Sequence, residues 1–344
     1  STEGDVNLRD ASVGSASIFI SAVNGSLLGS ASLTSSNDIG ITVGSDISAA
    51  SITTGGQLTT IALVGGGTEN LYTVPGSIDV GGYTQGANQQ FRVEAGNNIS
   101  FGSISAPGNS IQLLAAQSGP GDVFLGTSTG SSNIFLSGDN VGFIDLDASF
   151  NIISRIDILA TDGDVSGGNA TTVNILDIEA IGGSISVGDL TGGNNGIILD
   201  ATNDIAVNDI VGNASLTVNA GVAGDFDFND VGAFSVTVNA VDVRGNNIES
   251  LGVTGGGPNN LAINAAGNIT VGSAIATDTL DIDAGGTLTA DILSAGLTTA
   301  IIAGAIDANS LNSDNIGNVT TSTGDLDIGT VTGGSSMRLE ALSG

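Results

Sequence analysis

The residues with the most chemical potential in this chain are aspartates. Asp189, Asp209 and Asp230 occupy equivalent places in three successive segments, each about twenty residues long. If such segments stack as neighbouring strands, the three carboxylates form a column with a spacing of about 5 Å. Like charges at that distance repel, so each group must share a proton, diverge into water or bind a cation. An all-oxygen ligand set of this kind would suit Ca2+, the one cofactor the pattern suggests. Asp225 with Asp227, and Asp281 with Asp283, likewise put two carboxylates on one outward strand face. Paired carboxylates are also the equipment of glycoside hydrolysis. Here nearly every segment carries an outward Asp, so pairs arise by chance. A polyuronate lyase would need a strong base beside a calcium site, and the only strong bases are five scattered arginines. The reading is therefore of a chain without an enzymatic activity, and no catalytic residue is assigned.

A second polar column runs through Asn219, Asn239 and Asn264, flanked by Asp200 and Asp283. Amides at strand spacing hydrogen-bond to one another as a ladder, which is a structural use. Tyr72 and Tyr83 are the only tyrosines and there is no tryptophan, so aromatic platforms for sugars are scarce. Thr59, Thr60, Thr298 and Thr299 do not repeat in register from segment to segment, which weakens any reading as an ordered hydroxyl face.

Composition narrows the classes further. The 344 residues include 5 Lys+Arg, all of them arginine, against 35 Asp+Glu, with no His and no Cys, for a net charge of −30. Without His or Cys there is no serine-protease triad, thiol nucleophile, zinc finger or disulfide frame. Without Lys there is no P-loop and no Schiff base. Such an acidic surface repels nucleic acid and anionic lipid, and no apolar run approaches the roughly 18 residues of a membrane helix. Glycine supplies 54 of the 344 residues, about twice its usual share. The abundance of Ile, Val, Leu and Thr nevertheless sets the chain apart from disordered acidic sequences.

The elements that must position these columns are short strands in a repeat. Residues 183–201, 204–220, 225–240, 268–284, 286–303 and 325–341 share one plan. A polar turn residue is followed by apolar-x-apolar, two polar or small residues and another apolar residue. After a variable stretch comes apolar-x-apolar-x-Ala. The alternation has period 2, as in Leu216-Thr217-Val218-Asn219-Ala220, so each unit is built of strands with one buried face. A unit of this size cannot bury a core alone, and stacking merges the inward residues into continuous columns. Ile185, Ile205, Phe226 and Ile269 should form one column, and Leu199, Val218, Val238, Ile263 and Ile282 another. The expected fold is an all-β, right-handed parallel β-helix of about sixteen rungs of ~21 residues. It forms a single domain over 1–344, with loop insertions near 65–75 and 245–260.

The alternating strands, the Ala-Gly or Ala-Asn close of each unit and the period of about twenty residues resemble the filamentous-haemagglutinin-type repeats of two-partner-secreted adhesins. They are also similar to autotransporter passenger domains and large bacterial surface proteins. The resemblance implies an extracellular, prokaryotic cell-surface protein that serves as a filament subunit or adhesin stalk. Its alternative is an adhesive passenger domain that binds a receptor or glycan through its loops, and a polysaccharide lyase or hydrolase ranks below both. Neither end of the sequence reads as a cap. The expected partners are therefore copies of the chain stacked head to tail, or further repeats of a longer chain, with cell-surface glycans as further candidates.

Overall fold

The computed structural model describes residues 4–13, 18–22, 25–28, 32–35, 39–43, 47–49, 51–54, 58–60, 70–74, 77–85, 91–116, 120–252 and 259–342. Among them there is no helix; the chain is a β-solenoid of parallel, stacked coils. One turn shows how the sequence pattern becomes three sides. Ile185–Val187 forms a first leg, Leu190–Gly192 a second and Gly196–Ala201 a third strand, with buried residues alternating with exposed or half-buried ones in each. In the following turn the first two legs merge into one bent strand, Ile205–Gly212, followed by Ser215–Ala220. Among the described residues each strand pairs in parallel with its counterpart one turn away and not with a neighbour in its own turn. An apolar residue therefore meets the same position of the next turn, and the interior is a set of columns.

The chain divides into two compact units, Ser1–Val173 and Asn174–Gly344, each with this architecture. In the first, the opening legs begin at Val6, Leu27, Ile47, Ile78, Ile99, Val123, Val141 and Val165, one above the other. Its core includes an aromatic cluster. Tyr83 stacks on Phe91 with ring centroids 4.1 Å apart, and Phe91 meets Phe101 edge-on at 5.7 Å. Tyr83 is 1% exposed and cannot act as a sugar platform, and its burial pushes the phenol above its ordinary value. The side chain of Tyr72 lies outside the described residues.

In the second unit the expected third-strand column holds without a gap, from Leu199 through Val218, Val238 and Ile263 to Ile282. The first-leg column needs a correction. Val243 lies between Phe226 and Ile269, so the order is Ile185, Ile205, Phe226, Val243, Ile269, Leu288. Val243–Ser250 is thus a regular bent strand, and residues 245–250 are not an insertion as expected. Residues 253–258 of that expected loop lie outside the described residues. Of the expected insertion at 65–75, Asn70–Val74 is a strand paired with Phe91–Ala95, and the remainder lies outside the described residues. Eight opening legs in each unit, the last two beginning at Ile306 and Leu326, make about sixteen turns among the described residues, as expected. Val6, in the first of them, is only half-buried, and the last, Leu326–Gly333 with Met337–Ala341, carries no buried residue.

Volume is conserved between turns as well as within them. A Cβ placed on Gly167 would lie 2.3 Å from the ring of Phe143, its register partner in the preceding turn. The same relation recurs in the second unit, where a Cβ on Gly245 would lie 2.3 Å from the ring of Phe228. In both places a large inward ring reaches into space that the next turn leaves by having no side chain. Phe228 also stacks on Phe226 with centroids 4.9 Å apart, which restricts its freedom to move aside. Replacing Gly245 with Ala should lower stability by about 1–3 kcal/mol through overpacking. Adding Phe228→Leu to that variant should return part of the loss. Denaturant midpoints of the two single variants and the double variant check this, and simple additivity would contradict it.

Candidate functional site

The column of Asp189, Asp209 and Asp230 lies at the corner between the first and second legs. Asp209 and Asp230 are direct register partners, and Asp189 precedes Leu190, the partner of Ile210. The three carboxylates therefore do fall on consecutive turns. Each accepts a hydrogen bond from an amide one turn on. Asn208 donates to Asp189 at 2.6 Å, Asn229 to Asp209 at 2.8 Å and Asn247 to Asp230 at 2.7 Å. The backbone N–H of Asp230 donates to the same oxygen of Asp209 at 3.2 Å. The column then continues in neutral residues, with the Ser273 hydroxyl donating to Asn247 at 2.7 Å. Interleaved amide donors relieve the repulsion that stacking alone would create. A Ca2+ cage needs six to eight oxygens around one point. This column instead offers single carboxylates strung along the stack with one oxygen of each already engaged. Among the described residues no group of three or more acidic side chains converges on a metal position.

A longer polar ladder, legible in the sequence only as a polar turn residue, precedes the first leg of several turns in each unit. There a side-chain oxygen of Asp or Asn accepts the backbone N–H of the equivalent residue one turn on. In the first unit Asp5 accepts from Ser26, Asn98 from Asp122, Asp122 from Asn140 and Asn140 from Asp164, at 2.8–3.2 Å. In the second unit Asp204 accepts from Asp225, Asp225 from Asp242, Asp242 from Asn268 and Asn268 from Thr287, at 2.6–3.1 Å. These N–H groups lie at corners, outside the strand ladders, so a side chain has to satisfy them. Asp and Asn are short enough to reach one spacing and no further.

Three of the carboxylates share a cation supplied by the chain. Arg244 contacts Asp225 at 2.9 Å, Asp242 at 2.8 Å and Asp227 at 3.2 Å. Its hydrogen bonds to Asp225 and Asp227 hold the guanidinium above its ordinary value, so it remains charged. The pair Asp225 and Asp227, singled out from the sequence, is thus bridged by arginine. Asp281 and Asp283 remain exposed on the outer face of the third strand. In the first unit, half-buried Asp157 has its pKa raised by desolvation, opposed by its ion pair with Arg155.

The amide ladder is present as expected. Asn239 donates to Asn219 at 2.8 Å and Asn264 to Asn239 at 3.0 Å, with Asp200 and Asp283 in register at the two ends. Beside it lies a shallow groove of about 500 Å³, with Asn239, Asn264 and Asp283 in its lining. Thr299 points inward, fully buried, with no hydrogen-bond partner for its hydroxyl, so it belongs to no exposed hydroxyl face. The corner at 149–154 has no counterpart in the repeat pattern. Asn151 accepts from the Ile153 N–H and the Ser154 hydroxyl, while Phe150, Ile152 and Ile153 stand 57%, 78% and 68% exposed.

Two outcomes follow for the acidic groups. Asp225→Ala removes the acceptor of the Asp242 N–H and one partner of Arg244, and should cost about 1–3 kcal/mol. Asp225→Asn keeps the acceptor and should cost clearly less, which thermal melts of the two variants will show. Asp157 titrates higher in the folded chain than in the unfolded one, so the folded state holds its proton more tightly. Its contribution is complete below the ordinary value of 3.8 and is lost as pH rises through the raised folded value. Asp157→Asn should therefore flatten the dependence of stability on pH just above that value, measured as denaturant midpoints from pH 3 to 7. Comparison of the chain with models of protein families, with curated proteins and with solved structures finds no match in any of the three.

Proposed function

We propose that this chain is a non-enzymatic structural segment of a prokaryotic cell-surface filament or adhesin stalk, built by turn-on-turn β-stacking. The observation that carries the reading is the use made of its polar groups. Asp and Asn side chains in both units link one turn to the next, and Arg244 bridges acidic residues of neighbouring turns instead of standing in a cleft. A polar inventory used in this way serves length and cohesion. The extracellular setting rests on the resemblance of the repeat to bacterial surface proteins. The outward aspartates add solubility and discourage lateral association.

The mode of extension follows from the same chemistry, because each strand meets its counterpart one turn away in unbroken parallel register. The second reading, an adhesive passenger domain, draws on the exposed Phe150, Ile152 and Ile153, held out on a hydrogen-bonded corner.

Electron microscopy of the purified chain tests the structural reading. Uniform filaments, or slender particles of constant width, are the expected result. Compact globular particles together with turnover of acidic or neutral polysaccharides would contradict it.

A further inference from the structure

The amide ladder on the third-strand face stops in the middle of its own pattern. Asn264 gives its side-chain N–H to Asn239, as Asn239 does to Asn219. The next register position should supply a donor to the Asn264 carbonyl oxygen, but it holds Asp283, an acceptor. Two hydrogen-bond acceptors thus stand in register with no donor between them among the described residues. Both side chains are exposed, and both line the groove of about 500 Å³ beside the ladder.

The groove owes its existence to unequal corners. Between Ala220 and Phe226 the chain takes five residues, between Ala240 and Val243 only two, and between Ala265 and Ile269 three. The short corner leaves a recess below the long one, to which it is tied by the Val241 N–H donating to the Gly224 carbonyl at 2.7 Å. Residues of four successive turns border the recess, which therefore runs along the stack for about 14 Å. Ala240 and Ala266 keep its floor low, and fully exposed Val222 forms an apolar lip.

We propose that this groove binds a short, uncharged oligosaccharide chain lying along the stack. A sugar offers what the site lacks. Its hydroxyls donate to Asn264 and Asp283, accept from the free amide hydrogens, and its C–H faces rest on Val222 and the alanines. Repeating rings along a chain match repeating amides along the ladder. The net charge of −30 disfavours acidic glycans, and a bare cation would leave most of the recess and the apolar lip unused. The inference does not depend on filament formation, since the groove lies within the second unit.

Saturation-transfer NMR on the whole chain with maltotriose, cellotriose and mannotriose, each at millimolar concentration, tests it. Trigalacturonate and CaCl2 serve as controls. At least one neutral trisaccharide should bind, trigalacturonate should not, and CaCl2 should leave binding unchanged. Asn264→Ala and Val222→Glu should each weaken binding by about fivefold or more. Val222→Glu sits on a corner outside the ladder, so it separates loss of the groove from loss of fold, and melting curves confirm both variants are folded. Absence of transfer to all three trisaccharides, or binding untouched by both substitutions, would overturn the proposal. So would competition by CaCl2, which would mark the site as a cation site.

Discussion

No turn of this chain can bury its own apolar residues or satisfy its own backbone. Each turn supplies three inward faces of two or three residues, and only the turns above and below complete them. The fixed spacing between parallel strands therefore governs everything else. It decides which side chains meet, how long a corner side chain must be, and how much volume one turn can lend to another. The paired Phe143 with Gly167 and Phe228 with Gly245 show the last point, because a ring too large for its own layer is accommodated by a glycine in the next.

The same spacing explains an acidic composition that would otherwise look like a liability. Asp and Asn are the side chains whose oxygen reaches a backbone N–H one turn away from a corner. They are used for this in both units, with Asn taking the place of Asp at Asn98, Asn140 and Asn268. In the column of Asp189, Asp209 and Asp230 amides from the adjoining turn intervene, and between Asp225 and Asp242 the guanidinium of Arg244 does. What distinguishes one stretch of the surface from another is irregularity: a corner two residues long beside one of five, or a corner that holds three apolar side chains in water.

Much of the fold was legible in the sequence because period-2 alternation and the recurring Ala mark strands directly. The third-strand column from Leu199 to Ile282 and the amide ladder from Asn219 to Asn264 could be read residue by residue. The turn beginning at Val243 could not. Val243-Arg244-Gly245-Asn246-Asn247 reads as a loop, since the position that should hold an apolar residue holds Gly245. Its volume comes from Phe228 in another turn, and a linear pattern does not carry that information. The aspartate column was placed correctly, but its chemistry depends on Asn208 and Asn229. These sit one position away in register and matter only once donor and acceptor directions are known. The groove was hidden for a similar reason, because it arises from a difference in corner length between turns and not from any motif.

At four successive corners of the second unit an Asp or Asn side chain holds the backbone N–H of the next turn. Residue-resolved amide hydrogen exchange measures this directly. The N–H groups of Asp225, Asp242, Asn268 and Thr287 should be protected to a degree comparable with those of the adjoining strands Ile205–Gly212 and Phe226–Ala233. Exchange at these four positions as fast as in an unstructured loop, with the strands still protected, would contradict it.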